Sequence, residues 1–172
     1  MKRGINIFIL LILVLLCFSN CTRSGRRKVT DRENVQKESV IKSEGKTVVK
    51  IQKVNGVYEI PTEINGVPMH FIFDTGAGMI SISETEAIFL FKQGKLKEAD
   101  ILGKANFSDA NGDISEGTII NLQTVKIGDR ILENIQASVV HNLGAPLLMG
   151  QSALEKFGKI SIDYNRGEIT FE

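Results

Sequence analysis

The sequence has no tryptophan, only two cysteines and two histidines, and three prolines among its 172 residues. Because both cysteines, Cys17 and Cys21, lie near the amino terminus, a scaffold held together by disulfide bonds is excluded. The same scarcity of cysteine and histidine excludes a zinc site built from clusters of these residues. A net charge of +1 argues against a dedicated nucleic-acid-binding protein, which would carry a strong excess of basic residues.

The small net charge conceals a division of the chain into a basic segment and an acidic body. Residues 22–53 carry ten basic and four acidic side chains, whereas residues 54–172 carry nine basic and sixteen acidic ones. Apolar residues make up 42% of the chain, which is enough for one hydrophobic core in a domain of this size. We therefore expect a single folded domain preceded by a polar tail.

Residues 1–21 have the pattern of an export signal. Lys2 and Arg3 precede an unbroken apolar run that in helical form reaches about 18 Å, which is short for a membrane span. Cys21 follows closely, as in the lipobox of bacterial lipoproteins, although Asn20 stands where that motif has a small residue. Lipidation of Cys21, an ordinary cleaved signal peptide and a retained anchor are the alternatives. Each predicts an exported body in the cell envelope, facing the periplasm or the cell surface.

Residues 22–46 are polar and charged, with few branched apolar side chains and no aromatic one. Such a composition buries too little surface to offset the entropy lost on ordering. We predict a disordered basic tether that joins the leader to a folded domain spanning residues 47–172.

The folded domain has the pattern of a mainly β protein. After a first strand over residues 48–54, glycine-containing turns divide short alternating runs, and Asn65-Gly66 is the favoured dipeptide for a tight hairpin. Capping-box spacing at Ser83 predicts a helix over 84–93, and a second short helix is predicted over 151–157. Many short strands with only two short helices indicate a small closed β-barrel. The predicted hairpins are 57–64 with 67–73, 119–127 with 131–140, and 160–164 with 168–171.

The chemistry of the domain is concentrated where an apolar strand ends in Asp74-Thr75-Gly76-Ala77. A carboxylate after such a run is expected to be partly buried. Thr75 can lock a turn through its hydroxyl, and Gly76 allows another backbone or a ligand to approach closely. The tripeptide alone fits an ordinary turn between strands as well as an active site.

The context of this motif resembles the active-site hairpin of the retropepsin-like aspartic proteases. In that family an apolar strand, Asp-Thr-Gly-Ala and an apolar return strand follow one another, as they do in residues 67–83. The resemblance extends over residues 57–172 and includes a second signature, which packs beside the catalytic loop and leads into a helix. That signature corresponds to residues 145–150, with Leu148, Met149 and Gly150 beside the catalytic loop. The family's flap corresponds to residues 107–112, with Asp109, Ala110, Asn111 and Gly112 as the residues expected to bind substrate.

Three features depart from the family pattern. Gly78 stands where a larger polar residue is common, residues 84–104 form a long insert, and the flap has no obvious aromatic or isoleucine tip. These departures affect the expected substrate preference more than the expected reaction.

The resemblance implies an aspartic endopeptidase that needs no metal and no cofactor. Such an enzyme uses two carboxylates about 3 Å apart that share one proton. Because the chain contains a single Asp-Thr-Gly, the second carboxylate must come from a second copy, which predicts a homodimer with Asp74 of both chains at the axis. The family then assigns Thr75 to contacts across the axis. It assigns the flap to closing over an extended peptide substrate.

A second hypothesis keeps the fold and removes the reaction, because a fold does not determine a function. The chain would then be a catalytically inactive module that binds peptides or dimerises at the cell envelope. A serine hydrolase is disfavoured, since no Gly-x-Ser-x-Gly is present. The predicted partners are a peptide or protein substrate, a second copy of the chain and the membrane, with no nucleic acid.

Overall fold

The structure is a computed structural model that describes residues 39–41, 45–108 and 111–172. For residues 39–41 it describes the backbone alone. The predicted leader, including Cys21, and most of the predicted tether lie outside the described residues. Asp109 and Ala110 of the predicted flap also lie outside them.

The described part of the chain consists mainly of strands, as the sequence predicts. The two helices are α1 (Glu84–Lys92) and α2 (Gln151–Leu154), and single 3-10 turns lie at Glu98–Asp100 and Glu155–Phe157. The strands are β1 (Ser39–Ile41), β2 (Thr47–Lys50), β3 (Gln52–Val54), β4 (Val57–Ile64), β5 (Val67–Phe73), β6 (Ile80–Ser83), β7 (Ile101–Ser108), β8 (Ile114–Ile127), β9 (Arg130–Val140), β10 (Leu148–Met149), β11 (Ile160–Asp163) and β12 (Glu168–Phe171).

Most of the strands belong to one sheet that closes on itself. Around this ring the neighbours are β9, β6, β10, β5, β4 and β8, and β8 pairs again with β9. Strand β7 pairs with β8, β3 with β4, and β1 with β9. Strands β11, β12 and β2 form a separate antiparallel sheet. The prediction of a mainly β fold with two short helices is confirmed, and the strands form a ring.

The hairpin that leads to Asp74 obtains its register from Asn65-Gly66. Both residues have positive φ angles, 49° and 82°, as the predicted two-residue turn requires. The side chain of Asn65 then fixes the turn to its neighbours. Its Oδ1 accepts a hydrogen bond from the Thr124 N–H at 2.9 Å, and its Nδ2 donates to the Lys95 carbonyl at 2.7 Å. Strand β5 consequently ends directly before Asp74.

Side chains from both sheets form one hydrophobic core, and the core anchors the Asp74 loop at both ends. Phe71 on β5 and Ile80 at the start of β6 are fully buried on either side of that loop. Phe157 after α2 and Phe171 on β12 are also fully buried, and their ring centres lie 5.2 Å apart. Each such side chain contributes roughly 1.5–3 kcal/mol of burial free energy.

The side chain of Arg130 joins the two sheets from a buried position at the start of β9. Its guanidinium donates to the carbonyls of Phe157 and Phe171, both at 3.0 Å, to the Gly45 carbonyl at 2.7 Å and to the Thr47 hydroxyl at 3.1 Å. Because a guanidinium has five N–H donors, one side chain satisfies acceptors from three separate segments.

Helix α1 begins as its capping pattern predicts. The Ser83 hydroxyl oxygen accepts hydrogen bonds from the Thr85 N–H at 3.1 Å and the Glu86 N–H at 3.3 Å, and the Ser83 hydroxyl bonds to the Glu86 carboxylate. Within the described ranges, no helix combines the length and the apolar character needed to cross a membrane.

Three segments differ from the sequence-based expectation. Residues 48–54, predicted as one strand, divide at Ile51 between β2 and β3, which lie in different sheets. Strand β7 begins at Ile101, inside the predicted insert. Residues 39–41 fall in the predicted tether, yet they pair with β9 as strand β1. In each case long-range pairing decides the structure, and local composition does not reveal it.

Candidate active site

Asp74 lies at the point where three strands of the ring meet. It follows β5, which pairs in parallel with β10, and β10 also pairs with β6 after the loop. The Asp74 N–H donates to the Met149 carbonyl at 3.2 Å, and the Ile72 N–H donates to the Leu147 carbonyl at 2.8 Å. The segment predicted to pack beside the Asp74 loop therefore does so through backbone hydrogen bonds.

The loop itself orients the carboxylate of Asp74, which is half-buried as expected. Its Oδ1 accepts a hydrogen bond from the Gly76 N–H at 2.8 Å, and the other carboxylate oxygen has no hydrogen-bond partner among the described residues. A Cβ at Gly76 would lie 3.2 Å from Oδ1, so a side chain there would crowd the carboxylate. Thr75 is exposed, and its carbonyl accepts from Gln151 Nε2 at 3.1 Å.

The start of α2 is docked onto the same loop. The backbone N–H groups of Gln151 and Ser152 donate to the carbonyls of Ala77 at 2.9 Å and Gly78 at 3.1 Å. These contacts satisfy helix N–H groups that have no partner within the helix. Gly150 permits the approach, because a Cβ there would overlap backbone atoms of the loop.

A cavity of about 560 Å³ opens beside the carboxylate of Asp74. One wall is the loop itself, with Gly76 and Met79, and another is the β7–β8 hairpin, with Phe107 and Ser115. The two arms of this hairpin therefore cover the cavity where the sequence predicts a flap. At the tip, Asn111 and Gly112 are exposed and do not line the cavity.

Several residues that line the cavity were not among the sequence-predicted site residues. Phe107, at the start of the predicted flap segment, supplies an aromatic wall, although the sequence indicated no aromatic residue at the flap tip. Ser81 and Ser138 become neighbours only through the pairing of β6 with β9. The complete set of such residues is Gly78, Met79, Ser81, Phe107, Ser108, Ser115, Ser138 and Val140.

Asp74 is the only carboxylate among the described residues that line this cavity. Neither His70 nor His141 lines it, so no histidine is positioned there to activate a serine. His141 instead lies within 3.0 Å of the Thr118 hydroxyl. Among the described residues, no three His, Cys, Asp or Glu side chains lie close enough together to hold a metal ion.

An exposed ion pair links the arms of the covering hairpin. Lys104 Nζ lies 2.6 Å from Glu116 Oε1. The hydrogen bond and the charge of Lys104 lower the pKa of Glu116, and the charge of His141 acts in the same direction. Both partners are exposed, so water screens the pair and it contributes little to stability.

The Asp-Thr-Gly-Ala loop, the adjoining β10–α2 segment and the covering hairpin together match the pattern of the retropepsin-like aspartic protease family. A family model described as "gag-polyprotein putative aspartyl protease" matches residues 60–156, more than half of the chain. The chain belongs to this family of aspartyl proteases.

Solved structures support the same assignment. The structure is similar to the crystal structure of a retropepsin-like aspartic protease from Rickettsia conorii, with 27% sequence identity and a TM-score of 0.50. The match covers 78% of this chain and 92% of that chain. In total, 183 solved chains match this structure, whereas no curated protein matches the sequence.

Proposed function

We propose that the protein is an aspartic endopeptidase in which two Asp74 carboxylates, one from each chain of a homodimer, activate a water molecule. The observation that carries this proposal is the half-buried Asp74 carboxylate beside a covered cavity that contains no second carboxylate among its described lining residues. Two carboxylates are needed because one must be ionised while the other is protonated.

The surface beside the Asp74 loop supports a contact with a second copy. A groove of about 340 Å³ runs from the exposed Thr75 to the half-buried side chains of Phe73, Ile160 and Ile162. A two-fold axis through this face would bring Thr75 and Asp74 of both copies together, since the same patch then meets itself. An apolar surface of this kind becomes buried in the proposed dimer.

The reaction follows from the two protonation states. The ionised carboxylate removes a proton from water while the water oxygen bonds to the carbonyl carbon of the substrate, and the protonated carboxylate donates a hydrogen bond to the carbonyl oxygen. The C–N bond then breaks, and the nitrogen leaves with a proton returned by a carboxyl group. No cofactor is needed to balance these steps.

The covering hairpin supports binding of an extended peptide. Among the described strands β7 pairs with β8 alone, so its other edge presents backbone N–H and C=O groups. A peptide strand can add to such an edge through main-chain hydrogen bonds, with alternate side chains entering pockets. We propose that the substrate lies between this hairpin and the two Asp74 loops.

The substitution Asp74→Asn tests the reaction. We expect it to abolish cleavage of a peptide library at acid and neutral pH, while thermal stability is unchanged or higher. Stability is kept because Asn Oδ1 can still accept the Gly76 hydrogen bond, and a repulsive pair of acidic groups is removed.

The matched control is Asp163→Asn. Asp163 is the last residue of β11, where its Oδ1 accepts from the N–H groups of Asn165 and Arg166 at 3.0 Å, and Asn can do the same. This variant should cleave like the wild type, and a statine-type transition-state mimic should inhibit both. Cleavage retained in Asp74→Asn would end the proposal, and peptide binding without cleavage by the wild type would favour the inactive module.

We further propose that the protein is exported to the cell envelope and anchored through a lipid on Cys21. The support is the succession of features in residues 1–21, where two basic residues are followed by an apolar run and then by Cys21. Mass spectrometry of the mature protein should detect a diacylated Cys21 at the amino terminus. An unmodified amino terminus after cleavage, or an intact leader, would contradict the lipid anchor.

A further inference from the structure

Four serines share the cavity beside Asp74 with apolar side chains. Ser81 on β6 and Ser138 on β9 lie opposite each other in register, and Ser108 and Ser115 come from the covering hairpin. Asp74 carries the only charge among the described residues that line the cavity. The cavity therefore offers hydroxyl groups to a ligand without a cation to pair with an acidic one.

Ser81 and Ser138 lie on strands of the ring, and their hydroxyl groups differ in their hydrogen-bond partners. Ser138 donates a hydrogen bond to the Ile80 carbonyl at 3.3 Å, whereas the Ser81 hydroxyl has no hydrogen-bond partner among the described residues. Ser81 is nevertheless only 8% exposed. Its hydroxyl lines the cavity, where a ligand group that enters can form the hydrogen bond that the described residues do not supply.

The alternation of β6 turns Ser81 toward the cavity. Its strand neighbours Ile80 and Ile82 are fully buried in the core, and successive side chains of a strand point to opposite faces. The side chains of Phe107 and Leu148 provide apolar walls of the same cavity. A substrate side chain that enters would pack its body against these walls and bring its tip to Ser81.

We propose that Ser81 determines specificity by selecting, at one substrate position, an uncharged side chain that ends in a hydrogen-bonding group. Tyrosine and glutamine are side chains of this class, and phenylalanine is an apolar control of nearly the same shape as tyrosine. A carboxylate tip would be desolvated near Asp74 without a cation to pair it. The inference rests on the proposed function, because it assigns the cavity to the peptide substrate.

The test uses peptide pairs that differ only by tyrosine or phenylalanine at one position, scanned along the sequence. Cleavage by the wild type is compared with binding of the same peptides to the Asp74→Asn protein, in which no peptide is consumed. At one position we expect tyrosine to be preferred in both measurements. Ser81→Ala should lower the tyrosine-to-phenylalanine ratio about fivefold, the value of one neutral hydrogen bond.

Two further variants separate loss of the hydroxyl from general damage. Ser81→Thr keeps a hydroxyl and should retain the preference. Ser161→Ala removes an exposed hydroxyl on β11, away from the cavity, and should leave the ratio unchanged. Cleavage with equal ratios in the wild type and Ser81→Ala would overturn the role of Ser81. A Ser81-dependent binding preference without cleavage would uphold that role and overturn the endopeptidase, and neither binding nor cleavage would overturn both.

Discussion

The substitution Gly150→Ala tests whether the β10–α2 segment holds the Asp74 loop in place. Gly150 has φ −91° and ψ 178°, a backbone conformation that alanine adopts without strain. The added Cβ would lie 2.5 Å from the Met79 carbonyl carbon and 2.8 Å from the Ala77 carbonyl oxygen, and closer still to the Met79 oxygen. Because these are backbone atoms, no side-chain rotation relieves the overlap, and the loop or α2 must move.

The expected loss of unfolding free energy follows from the cost of overpacking. This cost is about 1–3 kcal/mol in protein cores and is greater where the backbone must shift. We expect Gly150→Ala to lose about 3 kcal/mol of unfolding free energy, or about 10 °C in Tm for a domain of this size. The displaced loop should also lower kcat/KM, since a shift of about 1 Å at a catalytic group can cost about a hundredfold in rate.

Urea unfolding and peptide cleavage measure the two effects, with Gly144→Ala as the control. Gly144 does not have a positive φ, and the nearest atom to its added Cβ is Asn142 Oδ1 at 3.8 Å, an ordinary contact. Both substitutions reduce the entropy of the unfolded chain equally, so the difference between them isolates the overlap at Gly150. Equal stabilities of the two variants would refute the reasoning.

The remaining predictions concern Arg130, which joins the two sheets, and Glu172, which follows β12. Arg130→Met should lower the unfolding free energy by about 3 kcal/mol, because several buried acceptors lose their donor, and a loss below about 1 kcal/mol would contradict the role of this side chain. Glu172 has its pKa lowered from 4.5 to about 2 by hydrogen bonds from Lys46 and Lys159. Its contribution to stability is present above pH 4.5 and disappears as the pH falls toward 2. Glu172→Gln should therefore have a lower Tm than the wild type at pH 6 and the same Tm near pH 2, and a pH-independent difference would contradict this assignment.

Local chemistry explains which parts of the fold could be predicted from the sequence. Asn65-Gly66 fixes its hairpin through its own backbone preference, and Ser83 caps α1 through its own hydroxyl. The apolar run before Asp74 and the small residue Gly150 likewise specify how the loop and α2 pack. These features depend on neighbouring residues, so the sequence is sufficient to find them.

Long-range pairing explains what the sequence did not reveal. In the sequence, Ser81 is a polar residue between two isoleucines, and no local pattern indicates a role for it. Only the pairing of β6 with β9 places it beside Ser138. Phe107 lies in the predicted flap segment, but its position in the cavity wall depends on the pairing of β7 with β8. In the sequence, Arg130 follows a glycine-containing turn and has no indicated role. Only the folded chain brings together the four hydrogen-bond acceptors of its guanidinium. The partner of the Asp74 carboxylate belongs, in our proposal, to another molecule.

Mixing wild-type and Asp74→Asn chains tests the shared pair of carboxylates most directly. The two proteins are unfolded and refolded together at constant total concentration, and peptide cleavage is measured against the wild-type fraction. If each active site needs Asp74 from two chains, activity follows the square of that fraction, and an equal mixture retains about a quarter of the wild-type activity. An equal mixture that retains half of the activity would mean that each chain works alone, which would contradict the account.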